Sequence, residues 1–175
     1  MSAINWIGRL LGWLLLTAFQ VLVLTQLDLG ALLHPYVFPM FAMLLPFSVP
    51  RWLVLVLAFI AGLVVDMFNN TPGMHAAAMV VMAYLRPAIL KMLTPVSGYE
   101  GIEYPSFMRL GFIWFLLYCL SMAGVHHLVY FQLETLSWTN FPYTLLKSAL
   151  SLLVSVFLMI NFAFIFSSRK SAERK

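Results

Sequence analysis

The stretch Gly62-Leu63-Val64-Val65-Asp66-Met67-Phe68-Asn69-Asn70-Thr71-Pro72-Gly73-Met74-His75-Ala76-Ala77-Ala78 closes one strongly apolar segment and opens the next. Ala58, Gly62 and Asp66 share one helical face at four-residue spacing, and Gly73 and Ala77 repeat a small-xxx-small pattern beyond the turn. Thr71-Pro72 is a helix-start signal, with threonine suited to the N-cap and proline to the first helical position. Together these features predict a tight helical hairpin. Asp66 falls about a turn before the first helix ends, where the helix dipole disfavours an anion. Either the free N–H groups of the second helix, or His75, cap it across the hairpin, or water and headgroups solvate it at a membrane surface. A proton- or ion-coupling role lacks a second intramembrane acid to relay to.

Working outward, the composition sets the class. The 175 residues are 63% hydrophobic and 9% charged, against about 45–50% and about 25% in soluble domains. At about 20 apolar residues per crossing, the chain has room for about six membrane spans. The net charge of +4 fits the cytoplasmic bias of basic loops better than nucleic-acid binding. A single cysteine, Cys119, excludes a disulfide framework. Arg9 followed by Leu10 to Leu24 has the look of a signal peptide. The run ends in Thr25-Gln26-Leu27-Asp28 without a small-residue cleavage site, which predicts a retained first span.

The expected fold is therefore all-α: a polytopic membrane protein with one six-helix transmembrane domain over residues 1–168 and a basic cytoplasmic tail at 169–175. The spans are expected at about 5–26, 34–48, 51–69, 72–93, 106–132 and 142–166. The second is short and is broken by Pro39, Pro46 and Pro50. Its crossing is inferred from parity: with six spans and cytoplasmic termini, Arg51, Arg86, Lys91, Arg109 and the tail lie inside, and only Lys147 outside. Arg86-Pro87 is expected to interrupt the fourth span. Gly8 and Gly12 form a small-xxx-small pair open to another helix, Thr17 and Gln20 share a protein-facing side, and Ser148, Ser151 and Ser155 make a packing stripe. Asn161 is expected to find a partner on a neighbouring helix.

Candidates for chemistry are few. His126-His127 near the outer end of the fifth span invites a metal reading, but adjacent helical residues diverge by about 100°. Without a completing ligand cluster, the pair reads as interfacial imidazoles contacting water or a partner. Arg86-Pro87 with Lys91 reads as a basic corner against anionic headgroups. No catalytic signature, metal set or cofactor motif is present, so no enzyme activity and no cofactor are expected.

Gly62-Leu63-Val64-Val65-Asp66, then Thr71-Pro72-Gly73-Met74-His75-Ala76, then Leu85-Arg86-Pro87 resemble the rod-shape-determining membrane protein family MreD. His34-Pro35-Tyr36 and the stretch from His126-His127 to Glu134 are similar too, and the likeness covers nearly the whole chain. The resemblance implies a non-enzymatic component of the bacterial cytoplasmic membrane. It would work with bitopic MreC, actin-like MreB, RodA and a penicillin-binding transpeptidase in lateral peptidoglycan synthesis and rod shape. It also implies a fold like the substrate-binding component of energy-coupling-factor vitamin transporters, and it brings no catalytic residues.

Two functions follow: a scaffold that binds MreC by helix packing, or a substrate-binding transport component. The second predicts a pocket at the outer side lined by convergent aromatic and polar groups. The first predicts close-packed helices and an exposed groove for a partner.

Overall fold

Among the described residues seven α-helices follow one another: α1 (Ala3–Leu22), α2 (Met40–Met43), α3 (Arg51–Asn69), α4 (Met74–Met92), α5 (Phe107–Leu110), α6 (Phe112–Thr135) and α7 (Phe141–Ala172). A 3-10 turn at Leu24–Gln26 extends α1, and no strand occurs among the described residues. The computed structural model describes residues 3–136 and 139–172. Of the expected basic tail, residues 169–172 continue α7 and residues 173–175 lie outside the described residues.

α4 is the central helix, packed against α3 on one side and α6 on the other, with α7 against α6 and α1 beside α3. Among the described residues three helices are long and apolar enough to cross a membrane: α3, α6 and the Phe141–Ile165 part of α7. Leu11–Gln26 adds a shorter apolar helix. The chain is thus a helical, membrane-embedded protein in character. α4 equals α3 in length, at 19 residues, but is not among the three, because Arg86, Pro87 and Lys91 dilute its apolar run. Pro87 does not break it: the helix continues unbroken to Met92. Proline removes one N–H, so the cost is one ladder bond to the carbonyl four residues earlier.

Residues 34–48, expected as a span, contain only the four-residue α2. Pro35, Pro39, Pro46 and Pro50 deny a helix the amide donors it needs here. The segment is nevertheless deeply buried: Val37, Phe38, Ala42 and Met43 are all fully buried. It begins beside His75, where the Tyr36 ring lies 4.7 Å away. It reaches the Arg86 guanidinium through Leu45 O, and ends with Phe47 N–H donating to Glu103 O at 2.9 Å. His75 and Arg86 are eleven positions apart on α4, about 16 Å of helix. An irregular length of chain thus runs along α4, sheathed by helices.

Non-helical backbone survives in an apolar setting only when buried in protein and hydrogen-bonded there. Gln20 Nε2 donates to Pro35 O at 3.1 Å and its Oε1 accepts from Val37 N at 2.8 Å. Ser151 Oγ accepts from His34 N at 2.9 Å and donates to Leu32 O at 3.1 Å. Ser155 Oγ accepts from Tyr36 N at 2.8 Å. Tyr118 OH donates to Met43 O at 2.9 Å, and Arg86 Nη2 donates to Leu45 O.

Candidate functional site

The α3–α4 hairpin meets at Gly62. A Cβ built there would lie 2.5 Å from Ala76 Cα, 2.6 Å from Ala76 N and 2.7 Å from His75 C. The two backbones are therefore in contact, which only glycine permits. One turn further along, the Asp66 carboxylate is 3% exposed and receives three donors. Oδ1 accepts from Thr71 Oγ1 at 2.8 Å and His75 N at 2.9 Å, while Oδ2 accepts from Ala76 N at 2.9 Å.

This arrangement differs in detail from the expected one. α4 starts at Met74 with Gly73 as its N-cap, two residues later than the Thr71-Pro72 signal implied. An N-cap side chain normally accepts from the second or third helical N–H. His75 and Ala76 hold those positions, and Asp66 supplies the acceptor from the preceding helix. Thr71 is spent on Asp66, and Pro72 lies in the turn between the helices. Gly73 has φ +80 and nothing within 4 Å of a Cβ. Its role is conformational, the left-handed backbone that glycine adopts freely, rather than the close helix approach expected of it. Asn70, also left-handed, closes α3.

Behind this cap lies a cluster of rings drawn from three places: His75 on α4, His126, His127 and Tyr130 on α6, and Tyr36 with Phe38 from the irregular segment. His75 stacks on Tyr130 at 4.1 Å and on His126 at 5.8 Å. Tyr36 stands edge-on to His75 at 4.7 Å and to Tyr130 at 5.0 Å. All three imidazoles are fully buried. His126 and His127 are therefore not interfacial, as the sequence suggested. Burial comes from Tyr36 and Phe38, whose position beside α6 has no signature in local sequence.

The two neighbours differ sharply. His127 places Nδ1 2.7 Å from Ala123 O and Nε2 2.9 Å from Ser155 Oγ. A neutral ring satisfies both by donating from Nδ1 and accepting the serine proton at Nε2. Ser155 also lies 2.7 Å from Ser151 O, so its one proton serves either His127 or that carbonyl. His126 has no hydrogen-bond partner at either nitrogen. No group of three or more His, Cys, Asp or Glu suited to a metal ion occurs among the described residues.

At the same end, Lys147 Nζ pairs with Glu134 Oε2 at 2.6 Å and lies 4.7 Å above the Phe131 ring. A cleft of about 330 Å³ opens between the loop after α1 and the hairpin, lined by Gln20, His34, Tyr36 and Asn69 among others. Arg86 and Pro87 belong to the opposite end. The Arg86 side chain is 5% exposed, with Nε donating to Tyr118 OH at 3.2 Å and Nη2 to Leu45 O. It is an internal strut rather than a free headgroup anchor. Of the serine stripe, Ser151 and Ser155 serve the irregular segment, whereas Ser148 Oγ has no partner. Asn161 bonds Phe157 O of its own helix at 2.7 Å and faces outward.

The contacts bring Gly62, Asp66, Thr71, Gly73, His75, His126 and His127 to one end, with Pro72 in the turn between them. Tyr118 and Phe38 were not visible as partners in sequence, being tied to Met43 and His75 across long chain separations. Comparison with protein-family models, curated proteins and solved structures gives no match to this chain.

Proposed function

We propose that the chain is a non-enzymatic scaffold of the bacterial cytoplasmic membrane, of the MreD type, that captures MreC by helix packing. In this reading it helps to hold MreB, RodA and a penicillin-binding transpeptidase in one cell-elongation assembly. The observation that carries the reading is an uncovered face on α1. Gly8, Leu11, Gly12 and Leu15 fall on one side by helical spacing, and a Cβ at either glycine meets nothing within 4 Å. Leu11 and Leu15 are 54% and 62% exposed. Two glycines four apart let a second helix approach closely, and a bitopic partner brings one such helix. The interior favours the same reading, because the rings of the cluster pack against one another and occupy the space between the helices.

The charge distribution supports six crossings with both termini cytoplasmic. Asp66 and the Lys147–Glu134 pair sit at the hairpin end, while Arg51, Arg86 and Lys91 gather at the other. Thr71→Cys should react with a membrane-impermeant maleimide from outside the cell only; Cys119 is buried and gives little background. For the scaffold, Gly8→Ile with Gly12→Ile should abolish co-purification of MreC and round the cells while the protein still inserts. Normal MreC capture and normal rods would sink it.

The 330 Å³ cleft favours one second reading, a substrate-binding transport component. Its size is at the small end of ligand pockets, about 300–1,000 Å³. Native mass spectrometry after incubation with cell extract should then reveal a bound small nutrient, and an empty spectrum removes this reading.

A further inference from the structure

At the end opposite the hairpin, a cavity of about 380 Å³ lies between the start of α3 and the end of α4. Three cations line it: Arg51, Arg86 and Lys91. No acidic side chain lines it, and none of the three pairs with a carboxylate among the described residues. Arg86 is the informative one. A guanidinium buried to 5% exposure without a counter-ion is costly, because burial removes hydration that only an opposite charge replaces in full. Its two hydrogen bonds go to neutral oxygens, and a guanidinium has five donors.

The neighbouring backbone leaves Arg51 and Lys91 free as well. The carbonyls at the end of α4 are already taken by neutral donors. Thr94 Oγ1 donates to Leu90 O and Lys91 O, each at 3.0 Å, Tyr99 OH to Leu90 O at 2.7 Å, and Trp114 Nε1 to Leu93 O at 2.6 Å. The start of α3, a 19-residue helix, faces the same cavity through Arg51 and Val54. Its first amides add positive potential there. The remaining wall is apolar, with Phe47, Val49, Val54 and Leu90.

We infer that this cavity binds a phosphate diester, and that its source is the headgroup of an anionic phospholipid. Arg51, Lys91 and the helix start meet the phosphate, the buried Arg86 adds its uncompensated charge behind them, and the apolar wall meets the glycerol and upper acyl carbons. Depth agrees: 19 residues of α3 span about 28 Å, close to the hydrocarbon thickness of about 30 Å. Arg51, at the first residue, therefore sits at headgroup level.

The test uses the full chain, delipidated in detergent and then offered phosphatidylglycerol or phosphatidylcholine with identical acyl chains, with bound lipid counted by native mass spectrometry. Phosphatidylglycerol should be retained over phosphatidylcholine. The Arg51→Gln/Lys91→Gln double variant should bind it about thirty-fold more weakly, at about five-fold per basic residue near a charged surface. Both residues are exposed, so the lipid-free melting temperature should not change. Three results overturn the inference: equal retention of the two lipids, unchanged binding by the double variant, or displacement of the lipid by inorganic phosphate at comparable concentration. The last assigns the cavity to a soluble phosphate instead.

Discussion

Gly62→Ala is the smallest change that attacks the hairpin. Its Cβ would sit 2.5 Å from Ala76 Cα, where ordinary contact begins at 3.4 Å. The obstacle is backbone, so no rotamer change relieves it, and α3 and α4 must part by roughly 1 Å or bend. One turn away, Asp66 reaches His75 N and Ala76 N at 2.9 Å each. The same separation carries both bonds past the working limit for N–H···O contacts. Overpacking costs about 1–3 kcal/mol, and weakening a bond to a charged group costs about 1.5–3 kcal/mol. The better helix propensity of alanine returns at most about 1 kcal/mol. The net loss is about 1.5–5 kcal/mol, a change of about 10- to 5,000-fold in the folding equilibrium. Reversible unfolding in mixed micelles reads this directly. Gly124→Ala is the matched control, since its Cβ meets only the tip of Leu152 at 3.6 Å. If the two variants are equally stable, the hairpin is not held by backbone contact and the reasoning fails.

Asp66→Asn keeps the shape but turns one acceptor into a donor facing an N–H; a loss of about 2–3 kcal/mol is expected, with faster proteolysis in the hairpin turn. The adjacent histidines should respond with opposite signs. His127→Phe removes the two ring bonds to Ala123 O and Ser155 Oγ and should destabilise by about 1–3 kcal/mol, whereas His126→Phe removes two unpartnered nitrogens and should be neutral or stabilising. A large loss on His126→Phe in thermal unfolding would reveal a polar partner for that ring. Tyr118→Phe strips the donor from Met43 O and the acceptor from Arg86 Nε. It should lower the melting temperature, by about 1–3 kcal/mol of stability, and Tyr118→Phe in an Arg86→Met background should cost less than the sum of the two single changes.

What the sequence disclosed, and what it hid, divides by range. The hairpin was legible because its determinants are local. Gly62 and Asp66 are one turn apart, and the acceptor meets donors nine and ten residues on. Long apolar runs likewise marked α3, α6 and most of α7. The irregular segment escaped, because an apolar run broken by prolines reads alike as a thin span or a buried strap. Its burial is decided by Gln20, Tyr118 and Ser155, as many as 119 residues away. The same gap explains Arg86. A basic residue beside a proline looks like a surface corner until Leu45 O and Tyr118 OH arrive from distant parts of the chain.

Five side chains, Gln20, Arg86, Tyr118, Ser151 and Ser155, take up the hydrogen-bonding groups of Leu32, His34, Pro35, Tyr36, Val37, Met43 and Leu45. In an apolar environment those backbone groups cannot be left bare, since each orphan costs several kcal/mol. The irregular segment and the buried polar residues are therefore two halves of one requirement. A bundle that admits a proline-broken strap must place polar groups on the facing helices at matching heights, and their spacing follows the strap. Loss of function on replacing any of the five consequently reports on the strap, unless stability is shown to be unchanged. His126 stands outside this requirement: its ring is buried and fully formed by contacts, yet neither nitrogen is used. Polarity at that position serves no bond within the described fold, which makes it the one member of the ring cluster whose substitution separates architecture from function.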